Sequence, residues 1–414
     1  MDDLLVEQRK LGLNGLVFFL ILSNMFIPLS IDMYLPALPA MSDYFGASQA
    51  VTNLTLSAFF FSYGCGILIW GPLSDKYGRR SCLLVSTFIY VLAGAGCALA
   101  GEIYFLIFCR ILQGLGAGGT TSISLAIVKD SFSGRLREKV LVIVIALSGI
   151  APVVGPLIGA MILLFADFKL VFWLLSFVGI VSLILTLLLE ETLAEEKRYS
   201  GPLIRTMGQV FVVLKNKSFL WLVIIFSLGS LPFMGYIAIS SYVYEIYFGL
   251  SEQMFSIYFA ANACAFILGP FLYYRFFRGY DNDFLIRGNF ILCIIFGIAV
   301  MVFGSYAPWA FWFAFMPISL IVSGIRPLAT NLMLEQQQDS TGTASSLINA
   351  TNSVFGSLGT LIASITWGNI ILSFGSILVI FSVLPLTAWL IFMRLPIPCL
   401  GVKKAGQFEK KPVI

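Results

Sequence analysis

The chain has 414 residues, of which 59% are hydrophobic and only 11% are charged, and its formal net charge is +4. A soluble globular domain carries roughly 25% charged residues, so this chain has too little polar surface for a water-soluble particle of its size. The sequence contains no histidine, which excludes His-ligated metals and leaves any proton transfer to carboxylates. Its seven cysteines include no Cys-X-X-Cys pair and indicate packing rather than disulfide or metal chemistry.

Apolar runs long enough to cross a bilayer as helices recur along the whole chain. They predict an all-α membrane protein of twelve transmembrane helices in two pseudo-symmetric six-helix bundles. The predicted spans are 13–39, 51–72, 81–100, 103–128, 139–165, 170–190, 219–245, 252–274, 284–305, 309–334, 343–372 and 374–394. The predicted domains are an N-terminal bundle (1–190), a cytoplasmic linker (191–218) and a C-terminal bundle with its tail (219–414).

Basic residues fall almost entirely on one side of this layout. With these spans, 22 of the 25 lysines and arginines lie in alternate connections and at the termini, and the opposite connections hold only Lys169. The positive-inside rule therefore predicts that both termini are cytoplasmic. Two basic residues, Arg110 and Arg326, remain inside predicted spans.

A faint internal repeat accompanies the layout. GPLSDKYGRR (71–80) follows span 2, and GPFLYYRFFR (269–278) follows span 8. Both segments begin with Gly-Pro at the same end of the second helix of a half. The repeat predicts two related halves of the chain.

The first of these loops is the most informative segment. Two glycines that allow tight turns accompany an aspartate and three basic residues: Gly71, Asp75, Lys76, Gly78, Arg79 and Arg80. The spacing G-x-x-x-D-[RK]-x-G-R-R resembles the cytoplasmic loop signature of the major facilitator superfamily. The resemblance implies that these residues form a latch that stabilises one state of an alternating-access cycle. A purely topogenic basic loop is the alternative.

Three further segments resemble motifs within that superfamily. RILQGLGAGG (110–119) is similar to the fourth-helix motif of proton-coupled members, and GIAPVVGPLIG (149–159) to the fifth-helix motif of antiporters. IDMYLPALP (31–39), with GTASSL (342–347), resembles the bicyclomycin-resistance (Bcr/CflA) branch of twelve-helix drug/proton antiporters.

The fifth span combines glycines with prolines. Gly149, Gly155 and Gly159 permit close helix contact, and Pro152 and Pro156 remove backbone donors and favour a kink. We interpret this span as a gating helix. Glycines that serve packing alone are the alternative.

Asp32 in span 1 and Arg110 in span 4 are ionisable groups inside the membrane, which are costly and therefore functional candidates. At 1.5 Å per residue, both lie roughly 12–15 Å from the outer face. They are expected to share a cavity or an ion pair and to contact substrate. They are also expected to couple proton exchange to transport, because burial favours the protonated carboxyl of Asp32 and a nearby guanidinium favours the ionised one. The alternative is a static buried ion pair.

Arg326 departs from the family pattern, because the stretch resembling GIRPLATN (324–331) more usually has a small residue there. Two embedded bases against one acid indicate a net-positive cavity, which suits an anionic solute better than a lipophilic cation. Snorkelling or a bond to a nearby carbonyl is the alternative. Tyr34 and Asn262 complete the predicted substrate-binding residues, as side chains that can orient a ligand of mixed polarity.

These features predict a secondary active transporter and not an enzyme, because the sequence offers no nucleophile–base pair or phosphate-binding loop. We expect a proton-coupled antiporter that exports a small amphiphilic drug-like solute or metabolite by alternating access. An exporter of an organic anion or carboxylate metallophore (siderophore) and a proton-coupled nutrient importer stay open as alternatives. The resemblance implies a monomer in the bacterial inner membrane that takes a small solute and protons, without cofactor, metal or nucleic acid.

Overall fold

The computed structural model describes residues 4–6, 8–202, 208, 210, 212–337, 341–365 and 368–402. Within these residues the chain is helical and forms no strand. Twelve long helices follow one another. They are α1 (Gly12–Phe45), α2 (Gln49–Tyr77), α3 (Arg79–Ala98), α4 (Ile103–Ser131), α5 (Gly134–Leu163), α6 (Phe168–Leu188), α7 (Lys217–Tyr247), α8 (Glu252–Phe277), α9 (Asn282–Phe303), α10 (Pro308–Glu335), α11 (Thr341–Ala363) and α12 (Ile370–Arg394).

Eleven of these helices are long and apolar enough to cross a membrane. The exception in the described part of the chain is α11, whose sequence TGTASSLINATNSVFGSLGTLIA is rich in serine, threonine, asparagine and glycine. It packs along α2 and α7, so its polar side chains can meet protein rather than lipid. The predicted all-helical membrane fold is thereby confirmed.

The predicted boundary between the last two spans is wrong. The eleventh helix ends at Ala363 rather than at residue 372, and the twelfth begins at Ile370 rather than at 374. Gly368 adopts φ +81° in the connection, and the Asn369 side chain accepts hydrogen bonds from the first amides of α12. Apolar composition alone did not reveal this break, because an asparagine N-cap within an apolar run is a local signal.

Two helices are interrupted where the sequence places proline or glycine. Helix α1 runs regularly to Asp32, passes through a 3₁₀ turn at Leu35–Ala37 and resumes at Leu38. Pro36 lies in this interruption and Pro39 lies in the first turn of the resumed helix. Neither can donate the backbone bond of a regular helix. Helix α5 is broken between Ser148 and Ala151, directly before Pro152. The kink predicted for the fifth span is therefore present.

The packing repeats after six helices. In the first half α2 packs on α4, α3 on α4 and α6, and α1 on α5; the counterparts α8 on α10, α9 on α10 and α12, and α7 on α11 occur in the second half. The halves meet through α2 with α11 and through α5 with α8, which are also equivalent pairs. This relation supports pseudo-symmetric halves, whereas the exact domain limits 1–190, 191–218 and 219–414 stay a prediction.

The two ends of the bundle differ in how the halves meet. We define the proximal end as the one where Leu4 and Leu5 pair with the α4–α5 connection and residues 395–402 lie beside the starts of α7 and α9. The distal end is the opposite one, where α1 connects to α2 and α11 to α12. The contacts between the two halves differ at these two ends.

Candidate transport site

Polar side chains bind the halves together toward the distal end. Ser57 and Thr360 form a hydrogen bond of 2.6 Å, and the Asn53 amide donates to Ser364 Oγ at 2.8 Å. A further bond of 2.9 Å joins Ser42 to Tyr242. All three connect the first half of the chain to the second.

Helices α5 and α8 contribute a second distal contact. The Ser256 hydroxyl donates to the carbonyl of Pro156 at 2.9 Å, and the Gln253 amide donates to the carbonyl of Ala160 at 3.1 Å. The nitrogen of Pro156 has no hydrogen to donate within the helix, but its carbonyl accepts the hydrogen bond from Ser256 of the other half. The distal end is therefore closed by hydrogen bonds along three helix pairs, α2 with α11, α1 with α7 and α5 with α8.

Toward the proximal end the halves are separated by a cavity of about 470 Å³, which we call the proximal cavity. Residues of α2, α4 and α5 form one wall, and residues of α11 from Gly342 to Asn349 form the other. Its charged lining comprises Asp75, Arg79, Lys129, Asp130 and Arg137. The structure thus shows a bundle closed at one end and open between its halves at the other.

Arg110 lies in an aromatic cage within the first half. Its side chain is 0% exposed, and the guanidinium carbon lies 4.5 Å from the centre of the Tyr34 ring and 4.2 Å from that of Phe59. The guanidinium donates to the Gln113 side-chain oxygen at 2.7 Å and to the Thr55 carbonyl at 3.3 Å. Aromatic faces and neutral oxygens, rather than a carboxylate, stabilise this buried cation.

Asp32 is the last residue of the regular first segment of α1 and is 4% exposed. In the described residues it forms no ion pair, and no hydrogen bond to its carboxyl is found. A direct pair of Asp32 with Arg110, one of the two arrangements expected, is therefore absent from the described residues, and so is the alternative of a static ion pair. Similar depth in the membrane did not imply contact, because depth does not specify which way each side chain points around its helix.

The fifth helix lies directly against Asp32. A Cβ atom added to Gly155 would lie 3.0 Å from the Cβ of Asp32. One added to Gly159, one turn later, would collide with the backbone carbonyl oxygen of Met33. The predicted small-residue face of α5 thus lets two backbones meet at the break of α1. By contrast, Gly149 lies at the break in α5.

The loop between α2 and α3 is ordered by a network of charges. Arg79 forms ion pairs with Asp75 and with Asp130 of α4, the second at 2.9 Å, and donates to Ser74 Oγ at 2.7 Å. The Lys76 ammonium donates to the carbonyl of Gly201 at 3.2 Å. The structure brings the predicted latch residues together, and Gly71 of the same motif lines the proximal cavity.

Glu191, just after α6, is a member of this network that the sequence analysis missed. Its carboxylate accepts hydrogen bonds from the backbone amides of Arg79 at 2.9 Å and Arg80 at 3.2 Å, at the start of α3. Gly78 precedes them with φ +95°, and a Cβ there would collide with Glu191. An acidic residue after an apolar span is common, so the sequence carried no specific signal for it.

We expect Glu191→Ala to lower the stability of the protein by about 1 kcal/mol, because an acidic cap at the first amides of a helix is worth about that much. Thermal unfolding in detergent would measure the change. Glu195→Ala is the matched control, since the Glu195 side chain is 87% exposed and its one ion pair in the described residues is with Arg198, at 3.4 Å. Equal stability of the two variants would contradict this role.

Arg326 lines a second cavity, of about 190 Å³, inside the second half; we call it the Arg326 cavity. The side chain is exposed to this space, and its guanidinium carbon lies 5.6 Å from the centre of the Phe266 ring. The other two predicted binding residues lie elsewhere. Tyr34 is fully buried beneath Arg110, and Asn262 is buried and accepts a hydrogen bond from Ser319 at 2.9 Å.

Comparison with known proteins identifies a family and several relatives with similar sequences. The family model of the Major Facilitator Superfamily matches residues 20–360. The uncharacterized MFS-type transporter YdgK of Bacillus subtilis is 32% identical over 352 residues, which cover 83% of this chain and 87% of the relative. The chloramphenicol resistance protein of Pseudomonas aeruginosa is 33% identical over 172 residues, which cover 41% of this chain and 40% of that protein.

A solved structure has a similar fold. It is the crystal structure of a bacterial homologue of the human lysosomal transporter Spinster, in an inward-facing and occupied conformation. The TM-score is 0.70 at 16% sequence identity, and the alignment covers 92% of this chain and 97% of that one. At this identity the likeness concerns the fold alone.

Proposed function

The chain belongs to the major facilitator superfamily and is a membrane-embedded transporter of small solutes, and we propose that it is a proton-coupled antiporter that exports an amphiphilic solute. The family, the fold and the assignment as a transporter rather than an enzyme are predictions that the comparisons confirm. Proton coupling, antiport and the direction of transport are our proposal.

The observation that carries proton coupling is the environment of Asp32. Its carboxyl is buried without an ion pair at the point where α1 breaks. Such a group can take up and release a proton without first separating from a cation. Because Gly155 of α5 lies against it, a movement of α5 relative to α1 alters how far the carboxyl is desolvated and therefore which protonation state is favoured.

The two ends of the bundle support alternating access. If the proximal end is cytoplasmic, as the positive-inside rule predicts, this conformation is open to the cytoplasm and closed to the outside. An exporter loads its solute in that state. The Arg79 network stands on one wall of the proximal cavity and Gly342, at the start of α11, on the other, so the latch residues can meet α11 when this end closes. Helix α5, which contacts both α1 and α8, is the proposed gating element.

The names of two relatives suggest which class of solute is transported. The chloramphenicol resistance protein of Pseudomonas aeruginosa supports export of a drug-like solute. The multidrug resistance protein MdtL of Escherichia coli, 32% identical over 166 residues, supports the same cargo class. We place the transporter as a monomer in a bacterial inner membrane with both termini cytoplasmic. Its solute and protons are then its only small partners.

Transport into proteoliposomes with an imposed pH gradient tests this function. Vesicles that are acidic inside should accumulate the solute against its gradient, and an uncoupler that collapses the pH gradient should stop the accumulation. Chloramphenicol, taken from the name of the relative, is the first probe. Accumulation only when the solute enters together with protons would instead establish the nutrient importer.

An organic anion is the second candidate cargo. The observation that favours it is Arg326, which is exposed to a cavity and forms no ion pair with any acidic residue in the described part of the chain.

A further inference from the structure

We propose that the Arg326 cavity binds the carboxylate of the transported solute, so that the cargo is an organic acid with an apolar body. The inference rests on the proposed transport function and specifies its substrate class. The main evidence for carboxylate binding is the geometry around Arg326, and the charges of the proximal cavity are further evidence.

Arg326 is held inside the bundle and is not drawn toward an end. It lies nine residues before the end of α10 at Glu335, about 14 Å at 1.5 Å per residue. One face of its guanidinium rests on Phe266 of α8, which is itself eleven residues before Phe277. The side chain therefore does not snorkel to the membrane surface. In the described residues no carboxylate lies within ion-pair distance of it.

An unpaired cation in a membrane span is costly, and an anion that pairs with it recovers much of that cost. The guanidinium offers several N–H donors in a planar fork that matches the two oxygens of a carboxylate. Phe266 meets the guanidinium through its ring and accepts no conventional hydrogen bond, so this contact does not use the N–H donors that would bind such a ligand. The chemistry of the site therefore selects a carboxylate over a neutral group.

Neutral donors stand around the same space. Asn349 and Asn352 of α11 line the cavity together with Ser230, Thr330 and Ser345. The Asn352 side-chain oxygen already accepts a hydrogen bond from Ser227 at 3.0 Å, which leaves its amide nitrogen as a donor toward a ligand. These groups can complete the hydrogen bonding of an anion without adding an opposing charge.

Apart from Asn289, the remaining lining is apolar. Aromatic and aliphatic side chains of α7, α9, α10 and α11 border the cavity: Phe226, Phe290, Val322, Ile325 and Ile348. Apolar side chains that pack around polar groups able to fix orientation are typical of sites for organic ligands. It favours an organic acid over an inorganic anion.

The access route is basic as well. The Arg326 cavity and the proximal cavity share Ser345 and Asn349 in their linings. Both acidic residues of the proximal cavity, Asp75 and Asp130, are paired with Arg79. Its other two charges, Lys129 and Arg137, form no ion pair in the described residues. A solute that enters from the proximal end meets an excess of positive charge, which concentrates anions.

Arg110 does not compete for this role. It is 0% exposed, covered by Tyr34 and Phe59, and bonded to Gln113. A ligand would have to displace an aromatic side chain to reach it. Of the two embedded arginines, Arg326 is the one that borders open space.

The test compares aryl carboxylates with amides of the same shape, beginning with benzoate and benzamide. Thermal unfolding of the purified full-length transporter in detergent, titrated with each compound, reports binding without transport. We expect the carboxylates to stabilise the wild type at lower concentrations than the amides. In Arg326→Gln this preference should disappear, with about tenfold weaker binding of the carboxylates, the usual size for a lost charge-assisted hydrogen bond.

Arg275→Gln is the matched control, because it removes the same charge from an exposed side chain of α8 that does not line the cavity; it should keep the preference. If Arg326→Gln does not fold, Arg326→Lys, which retains the charge but not the fork, should bind carboxylates more weakly and still prefer them to amides. Carboxylates and amides that bind the wild type equally, or a preference that survives Arg326→Gln, would overturn the proposal.

Failure of the anion site and failure of proton coupling give different results. Carboxylate binding that depends on Arg326, without any flux driven by a pH gradient, would refute coupling and leave the site. Flux of a neutral solute driven by a pH gradient and unchanged in Arg326→Gln would refute the site and leave coupling.

Discussion

Asp32→Asn is expected to abolish transport driven by a pH gradient while leaving the transporter folded. Asparagine has nearly the same shape as aspartate but cannot exchange a proton. The Asp32 carboxyl forms no ion pair in the described residues, so the substitution strands no buried cation, and a neutral amide avoids the cost of burying a charge. The melting temperature should therefore be unchanged or higher.

Two measurements make this result specific. Exchange of labelled for unlabelled solute without a pH gradient should persist in Asp32→Asn, since it requires alternating access but no net proton movement. Asp43→Asn is the control, because Asp43 is on the distal part of the same helix and is exposed. Full gradient-driven accumulation by Asp32→Asn would remove Asp32 from the mechanism.

Gly159→Ala is expected to be the most destabilising single methyl addition among the glycines discussed. The new methyl group would collide with the backbone carbonyl of Met33, and a backbone atom cannot rotate away as a side chain can. Overpacking of this kind typically costs about 1–3 kcal/mol. Because the displaced segment includes Asp32, transport should fall along with the melting temperature.

Gly288→Ala provides the comparison, since no atom lies within 4 Å of the position of its Cβ. Both changes replace a helical glycine with alanine, so the gain in helix propensity is the same. Gly288→Ala should match or exceed the wild type in thermal unfolding. If Gly159→Ala were equally stable, the close contact of α5 with α1 would not hold this part of the bundle.

The fold was largely predictable, because burial in a bilayer demands long apolar segments and basic loops mark one side. The error at residues 364–373 arose where an apolar run conceals an asparagine N-cap. The polar composition of α11 was visible in the sequence, but the surfaces it packs against were not.

The candidate site was less predictable. Asp32 and Arg110 stood out because charges are rare inside spans, yet the ion pair, one of the two arrangements expected for them, is absent from the described residues. The partners of Arg110 are aromatic rings and amides, which occur throughout this sequence. Arg326 was identified as an unmatched charge, and the cavity beside it required the folded chain. Glu191 accepts hydrogen bonds from two backbone amides. Every residue except proline has such an amide, so the sequence does not indicate which amides Glu191 contacts.

The polar part of the distal closure is made of bonds that water can replace. Ser57 with Thr360 and Asn53 with Ser364 join the halves through hydroxyl and amide groups. When this end opens, each group can be hydrated, so the net loss is only about 0.5–1.5 kcal/mol per bond. An equally tight seam of leucine and phenylalanine would expose apolar surface on opening and resist separation. The polar α11 therefore keeps the closed and open conformations close in free energy, within the range that the binding of a proton or a solute can reverse.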